Sequence, residues 1–540
     1  MEQLTAPSGR RNGSSAPSPA DQSGLDELAS ELAARRLDIF DEWTVTALLE
    51  SSGLGDGDAR QRYGLPDLFC IGRLLFPRLP VPVEERPAAA PAMRSEWSFR
   101  KLLASYSIGL VYFVPTFGLI VGFMLLGYSL WAWAGFTLAQ ATAIGLATLG
   151  SLVVTAPAVQ AIAARGYYYL NTENYRLLRV ATARLTLVGI GLALVSCALL
   201  AGLWQLAGLA SADYFVAYFL LLAVFWLCIA RIDVVNLRWL VSASCLVGLV
   251  CVFGLRQFDW ISMSHAQWAG LGAVDAGLIA LTEWRLRSWV RDTPANLAAV
   301  PLLPMRALLA QAWPIFTYGA AYYVFLFIDR LVSWSAQPKL PGQLLVFRGD
   351  YEAGLDLALL VLFLCTMLLE YTIRVFSEQL IPATDGAGAS DRAGVRRTFL
   401  SLYARQGGLM LLVAAASVLF TLFAVPLLPR LVGGSQQQVF ELPLVAAVFR
   451  IAVASYVVFA LGLFSAVFLQ NLARRGTVVA ALAGAMMLDV GVGELAVQRL
   501  GYAGACIGLL AGCIFFALAT TLAAIQTLRR VPYQLAAVLA

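Results

Sequence analysis

Apolar residues gather into twelve long stretches between residues 102 and 528, separated by short polar segments. About 20 consecutive apolar residues suffice to cross the hydrocarbon core of a bilayer. The pattern predicts spans over 103–128, 138–162, 184–208, 213–231, 238–256, 267–285, 308–334, 354–382, 406–429, 441–470, 476–498 and 502–527. Several exceed the minimum, so tilt or protrusion is expected. The fold class is therefore all-α: a polytopic membrane protein of twelve helices, with a small helical region before them.

That region has a different rhythm. Residues 1–22 are rich in Ser, Pro, Gly and Gln and read as a disordered tail. Residues 23–76 carry leucines at helical spacing (Leu25, Leu28, Leu32, Leu37), then Phe40, Trp43, Val45 and Leu48, and a last helix over Pro66–Phe76. Gly53, Gly55 and Gly57 break the run between them. A three-helix cytoplasmic unit of this size is a place to dock a partner rather than an enzyme domain. Residues 77–100, with many Pro and Ala, read as a linker. The remainder divides into a first six-helix bundle (101–290), a cytoplasmic connector (291–306), a second bundle (307–530) and a tail (531–540). In each half the longest arginine-bearing connection follows the second span, which suggests two parallel repeats.

Charge sets the orientation. Arg165, Arg176 and Arg179 follow span 2, and Arg231 and Arg238 follow span 4. Arg285, Arg287, Arg291 and Arg306 follow span 6, with Arg392, Arg396, Arg397 and Arg405 after span 8. Arg474, Arg475, Arg529 and Arg530 complete the series after spans 10 and 12. The opposite loops hold few basic residues, so the positive-inside rule puts both termini in the cytoplasm of a cell whose inner membrane the chain spans.

Composition adds exclusions. Hydrophobic residues make up 60% of the chain and charged ones 13%, so the net charge of +5, spread over short loops, does not suggest a nucleic-acid partner. Lys101 and Lys339 are the chain's lysines, and neither follows a glycine-rich phosphate loop. No nucleophile–base set, no HExxH and no CxxC occurs, so the expectation is a non-enzyme without cofactor or metal. The cysteines lie mostly within spans and read as small packing residues. No cleaved leader is expected, because the first span is long and starts late. His265, at a predicted outer edge, reads as an ordinary surface residue.

Ionisable groups within spans remain. Each costs roughly 2.5–3.5 kcal/mol on insertion scales and so faces a cavity or a partner. The candidates are Asp275, Glu283, Asp329, Arg330, Glu370, Arg374, Glu378, Arg450, Asp489 and Glu494. Asp489 either lines a cavity, touching substrate or carrying a proton, or pairs with an arginine such as Arg450. Glu370, Arg374 and Glu378, at i, i+4 and i+8, share a helix face and can pair in sequence. Glu283 and Arg287 have the same spacing. Asp329 and Arg330 either neutralise each other or leave Asp329 facing a lumen. Asp329, Asp489, Glu370, Arg374 and Arg450 form the candidate substrate or cavity set, with Asp329, Glu370 and Asp489 expected around a polar cavity between the halves. Pro115 and Pro157 are candidate hinges, or inert kinks. Tyr167, Tyr168, Tyr169 and Tyr175 read as interface anchors.

Three stretches carry a resemblance. Tyr318–Leu380, with FLFIDRLVSW, FRGDYEAGLDLALLVLF and MLLEYTIRVFSEQL, resembles the PelG-like exopolysaccharide transporter family. So does Val153–Tyr175, and Arg474–Arg530 resembles the last two spans of the wider multidrug/oligosaccharidyl-lipid/polysaccharide (MOP) flippase superfamily. The chain departs from that family in its extra N-terminal region and in Arg330, where lysine is common. The resemblance implies an inner-membrane unit that moves a polysaccharide or glycolipid. It would work among membrane lipids beside a cytoplasmic glycosyltransferase and membrane scaffold subunits. The alternatives are a lipid-linked oligosaccharide flippase, another secondary carrier, or a scaffold that transports nothing.

Overall fold

The computed structural model describes residues 24–79 in part, and 99–530 except 207–209, 259, 292–303, 338–343, 386–391, 428–441 and 473. The tails, most of the linker (80–98) and most of the connector between the halves (292–303) lie outside the described residues. The chain forms two compact units, one N-terminal and one covering Ser98–Pro532.

In the N-terminal unit, Leu37, Phe40, Trp43 and Leu48 of the predicted pattern lie outside the described residues, while Leu25 and Leu32 are buried. Leu25, Leu32, Val45, Leu49, Ala59, Leu68, Ile71 and Leu75 bury one another in a small core. Two complete helices are described, α1 (Asp56–Arg62) and α2 (Leu68–Leu75). The sequence reading missed α1, which runs through Gly57: Asp56 and Asp58 in its first turn suit the helix N-terminus. Asp67 caps α2 by accepting the Cys70 amide at 2.8 Å. That backbone bond holds its carboxyl below the usual range.

Among the described residues the membrane unit has twelve long helices: α3 (Phe99–Leu126), α4 (Leu138–Asn171), α5 (Tyr175–Leu206), α6 (Ala212–Val234), α7 (Trp239–Arg256), α8 (Met263–Arg291), α9 (Met305–Ser335), α10 (Gly349–Asp385), α11 (Arg392–Ala424), α12 (Pro443–Asn471), α13 (Arg475–Leu500) and α14 (Ala505–Arg529). Among the described residues, ten helices are long and apolar enough to cross a membrane, while α8 falls short and α3 qualifies only as the shorter segment Phe113–Leu126. The reason in α8 is its polar content, which includes Gln267, Asp275 and Glu283. Leucines such as Leu199, Leu246, Leu412 and Leu518 stand exposed on the outer helix faces, as lipid-facing residues do. Both Pro115 and Pro157 lie inside uninterrupted helices.

Helix pairing repeats between the halves. In the first bundle α4 packs on α5 and α6, α6 on α8, α8 on α7, and α7 on α3. The second bundle copies the register: α10 packs on α11 and α12, α12 on α14, α14 on α13, and α13 on α9. The two bundles meet where α4 packs on α9 and α10 packs on α3, again an exchange of equivalent helices. A twofold repeat with weak internal sequence identity is thus visible as matched neighbours.

Small residues make those meetings close. A Cβ added at Gly319 would stand 2.8 Å from the Gln160 side chain, and one at Gly145 would stand 2.6 Å from the Trp334 ring. Near the latter contact the Phe347 amide donates to Thr142 Oγ1 across the halves at 3.0 Å.

Candidate functional site

The second bundle holds a buried acidic cluster. FLFIDRLVSW makes one helical stretch of α9, so Asp329 and Arg330 project on different sides of it. Arg330 pairs with Glu352, and its Nη2 reaches Asp356 Oδ1 at 3.2 Å. Trp334, one turn on, donates its indole N–H to Glu352 Oε1 at 2.8 Å. Asp329 instead accepts from the Tyr351 hydroxyl at 2.7 Å. The local Asp329–Arg330 neutralisation that sequence left open therefore gives way to two separate sets of partners, both supplied by the first turns of α10.

Asp489 approaches from α13, close enough to Asp329 for their charges to interact. Both residues have no exposed surface. The two carboxyl oxygens of Asp489 and Oδ1 of Asp329 are buried with no hydrogen-bond partner among the described residues. The approach depends on glycine. At Gly512 an added Cβ would lie 2.8 Å from the Ala485 carbonyl oxygen and 3.2 Å from Asp489 Cβ. At Gly508 it would lie 2.6 Å from Gly493 Cα. Packing of small residues at i and i+4 brings α13 and α14 backbone to backbone, as membrane helices commonly do.

The remaining candidates are dispersed. Glu370 is half-exposed, and its partner is Arg238, at the start of α7, with Nη1 3.5 Å from Oε1. Arg238 also pairs with Asp233 and donates to the Tyr167 hydroxyl at 2.6 Å. Tyr167 in turn donates to Asp233 at 2.8 Å. Glu370 thus belongs to a bridge between bundles, the Arg374–Glu378 pairing of the predicted ladder lies outside the described side chains, and Tyr167 takes part in the bridge rather than serving only as an anchor. Arg374 is exposed, and the side chain of Glu378 lies outside the described residues. Arg450 is exposed and is not the partner of the fully buried Asp489. Glu283 binds Arg231 at 2.6 Å and Arg179 at 3.1 Å instead of its sequence neighbour Arg287. His265 meets the Ser262 hydroxyl through Nδ1 and stacks edgewise on Trp268.

Asp329 and Asp489 thus sit inside the second bundle with no exposed surface, and Glu370 lies at a separate interface. Glu352 escaped the sequence reading because span 8 was started at residue 354, and Asp356, although inside that span, was not counted among the candidates. The i, i+4 acids opposite Arg330, and the helix-favouring run after Gly349, were the available signal. Asp275 in α8 is a second buried acid whose oxygens have no partner among the described residues. Among the described residues, no group of His, Cys, Asp and Glu could hold a metal ion.

No protein-family model and no curated protein matches the chain. Solved structures do. One titled as an inward-facing multidrug resistance MATE family transporter of the MOP superfamily aligns with TM-score 0.52 at 13% identity, over 79% of this chain and 99% of that one. The eukaryotic MATE transporter AtDTX14 aligns with TM-score 0.51 at 14% identity, over 80% and 98%. A MATE in the straight conformation gives TM-score 0.54 at 13% identity, over 80% and 97%. At such identities the likeness is one of fold: the membrane unit has the fold of MATE transporters of the MOP superfamily.

Proposed function

We propose that this protein is a MOP-type transporter that moves a polysaccharide across the inner membrane, with both termini cytoplasmic, as the translocation unit of a synthesis and export complex. The observation that carries transport is the pair of equivalent six-helix bundles meeting through α3–α10 and α4–α9. Two bundles joined along so few helices can rock about that contact, which is how repeat-built transporters alternate access. The polysaccharide class is supported by the resemblance of Tyr318–Leu380, the stretch that supplies Asp329, Arg330, Glu352 and Asp356.

Within this reading the buried cluster couples the cycle. The charge of Arg330 is met by Glu352 and Asp356, although its Nε has no hydrogen-bond partner among the described residues, and Asp329 has Tyr351. Asp489 is the acid without a donor, and buried charge is costly unless paired. Any change in its charge alters the balance across α9, α10 and α13 together, which is the element a coupling group must bias.

Asp489→Asn and Asp329→Asn test the proposal. Both are expected to reach near wild-type levels in the membrane and to lower the amount of secreted polymer. Wild-type export by both variants would remove the cluster from the mechanism. Deletion of the gene with no loss of any secreted polymer would remove the substrate class and leave the transporter fold standing.

A further inference from the structure

A groove opens on the outside of the first bundle, between α5, α6 and α8, with a volume of about 260 Å³. Leu187 and Ile190 from α5, Leu227 from α6 and Ile279 from α8 form its walls. Leu187 is 67% exposed and Ile279 43%, so the mouth faces the surrounding lipid. The threonines along it add no polarity: Thr186 donates to the Thr182 carbonyl at 2.9 Å, and Thr282 to that of Leu278 at 2.7 Å.

One end of the groove is cationic. Arg231 lines it with a side chain only 8% exposed. Its Nη2 binds Glu283, but its buried Nε has no hydrogen-bond partner among the described residues. Arg179 shares the same carboxylate, at 3.1 Å through its own Nε. Two guanidinium groups therefore meet one acid, and one of their buried N–H donors is unfilled among the described residues. Arg231 is three residues from the end of α6 and Arg179 four from the start of α5, so this end lies at headgroup depth. From Ala183 to Ile190 the walls then run about 10 Å toward the hydrocarbon at helical rise.

We infer that this groove is a specific binding site for an anionic phospholipid of the arginine-rich leaflet, its phosphate on Arg231 and Arg179 and one acyl chain between α5, α6 and α8. The excess positive charge calls for an anion, and the dry walls call for a hydrocarbon chain. Phosphatidylglycerol satisfies both, whereas a free anion would leave the walls empty. An occupant here would wedge helices of the first bundle far from the acidic cluster, so the site is independent of the transport reading.

The test uses the full chain, purified in detergent and stripped of lipid, then titrated with phosphatidylglycerol or phosphatidylcholine and weighed intact by native mass spectrometry. The expected result is one retained phosphatidylglycerol, preferred by about tenfold, the order two arginines at an anionic headgroup supply. Arg179→Gln should weaken the preference, and Ile279→Trp, at the rim, should abolish retention by filling the groove. Leu518→Trp, on the lipid-facing side of α14, should leave it intact. Equal retention of the two lipids, undiminished retention by Ile279→Trp, or displacement of the lipid by inorganic phosphate would each overturn the assignment.

Discussion

Removing Arg330 is the sharpest probe of the buried cluster. Arg330→Met keeps an unbranched chain of similar length in α9 but withdraws the cation that touches both Glu352 and Asp356. Asp356 is half-exposed and can be solvated, whereas the Glu352 side chain is 7% exposed and keeps only the Trp334 indole as donor. Breaking a buried pair from one side costs about 3–5 kcal/mol, because the abandoned charge stays buried. At about 1.4 kcal/mol per decade, that lowers the ratio of folded to unfolded protein by roughly two to three and a half decades. Equilibrium unfolding in mixed micelles, followed by tryptophan fluorescence, would measure it. The decisive control is Arg330→Met with Glu352→Gln. The amide oxygen still accepts from Trp334 while no charge is stranded, so most of the lost stability should return. If the single variant loses less than about 1 kcal/mol, the level of an exposed pair, or if the double variant is no more stable than the single, Arg330 does not hold a buried charge here.

Other outcomes follow from the packing and the charge pattern. Gly508→Leu should separate α13 from α14 and cost about 1–3 kcal/mol or more, since its Cβ meets backbone rather than a movable side chain; unchanged thermal stability in detergent would refute that contact. Reporter enzymes fused within 292–303 and within 338–343 should fall on opposite sides of the membrane, and activity on the same side for both would break the topology. Deleting residues 1–97 should leave Ser98–Pro532 inserted as a folded unit, because the two units are compact separately, while weakening assembly with other complex members. Failure to insert, detected by protease protection, would count against the docking role.

Apolar length determined by itself that the chain is a bundle of long apolar helices, ten of them, among the described residues, able to cross a membrane. Bilayer thickness and the cost of an unpaired backbone act on each segment separately, so those features can be read locally. The same locality explains the leucine-patterned unit at the N-terminus. It also explains the first misreading: Glu352 was left just outside the predicted span because its burial depends on Arg330 and Trp334 of α9, not on its own neighbours. Pairing was decided only by the tertiary structure. Glu370 has Arg374 one turn away but binds Arg238, and Glu283 has Arg287 one turn away but binds Arg231 and Arg179. In a bundle whose helices are held by small residues, a guanidinium on a neighbouring helix reaches a carboxylate as readily as one on its own, and it brings burial that strengthens the attraction. Asp489 is the extreme case. Its sequence offered Arg450 as a partner, yet glycines at 493, 508 and 512 draw α13 against α14 and leave the acid among apolar walls, facing another acid. Where Asp489 ends up was settled by where those glycines let α13 and α14 touch, which the pattern within either helix does not record.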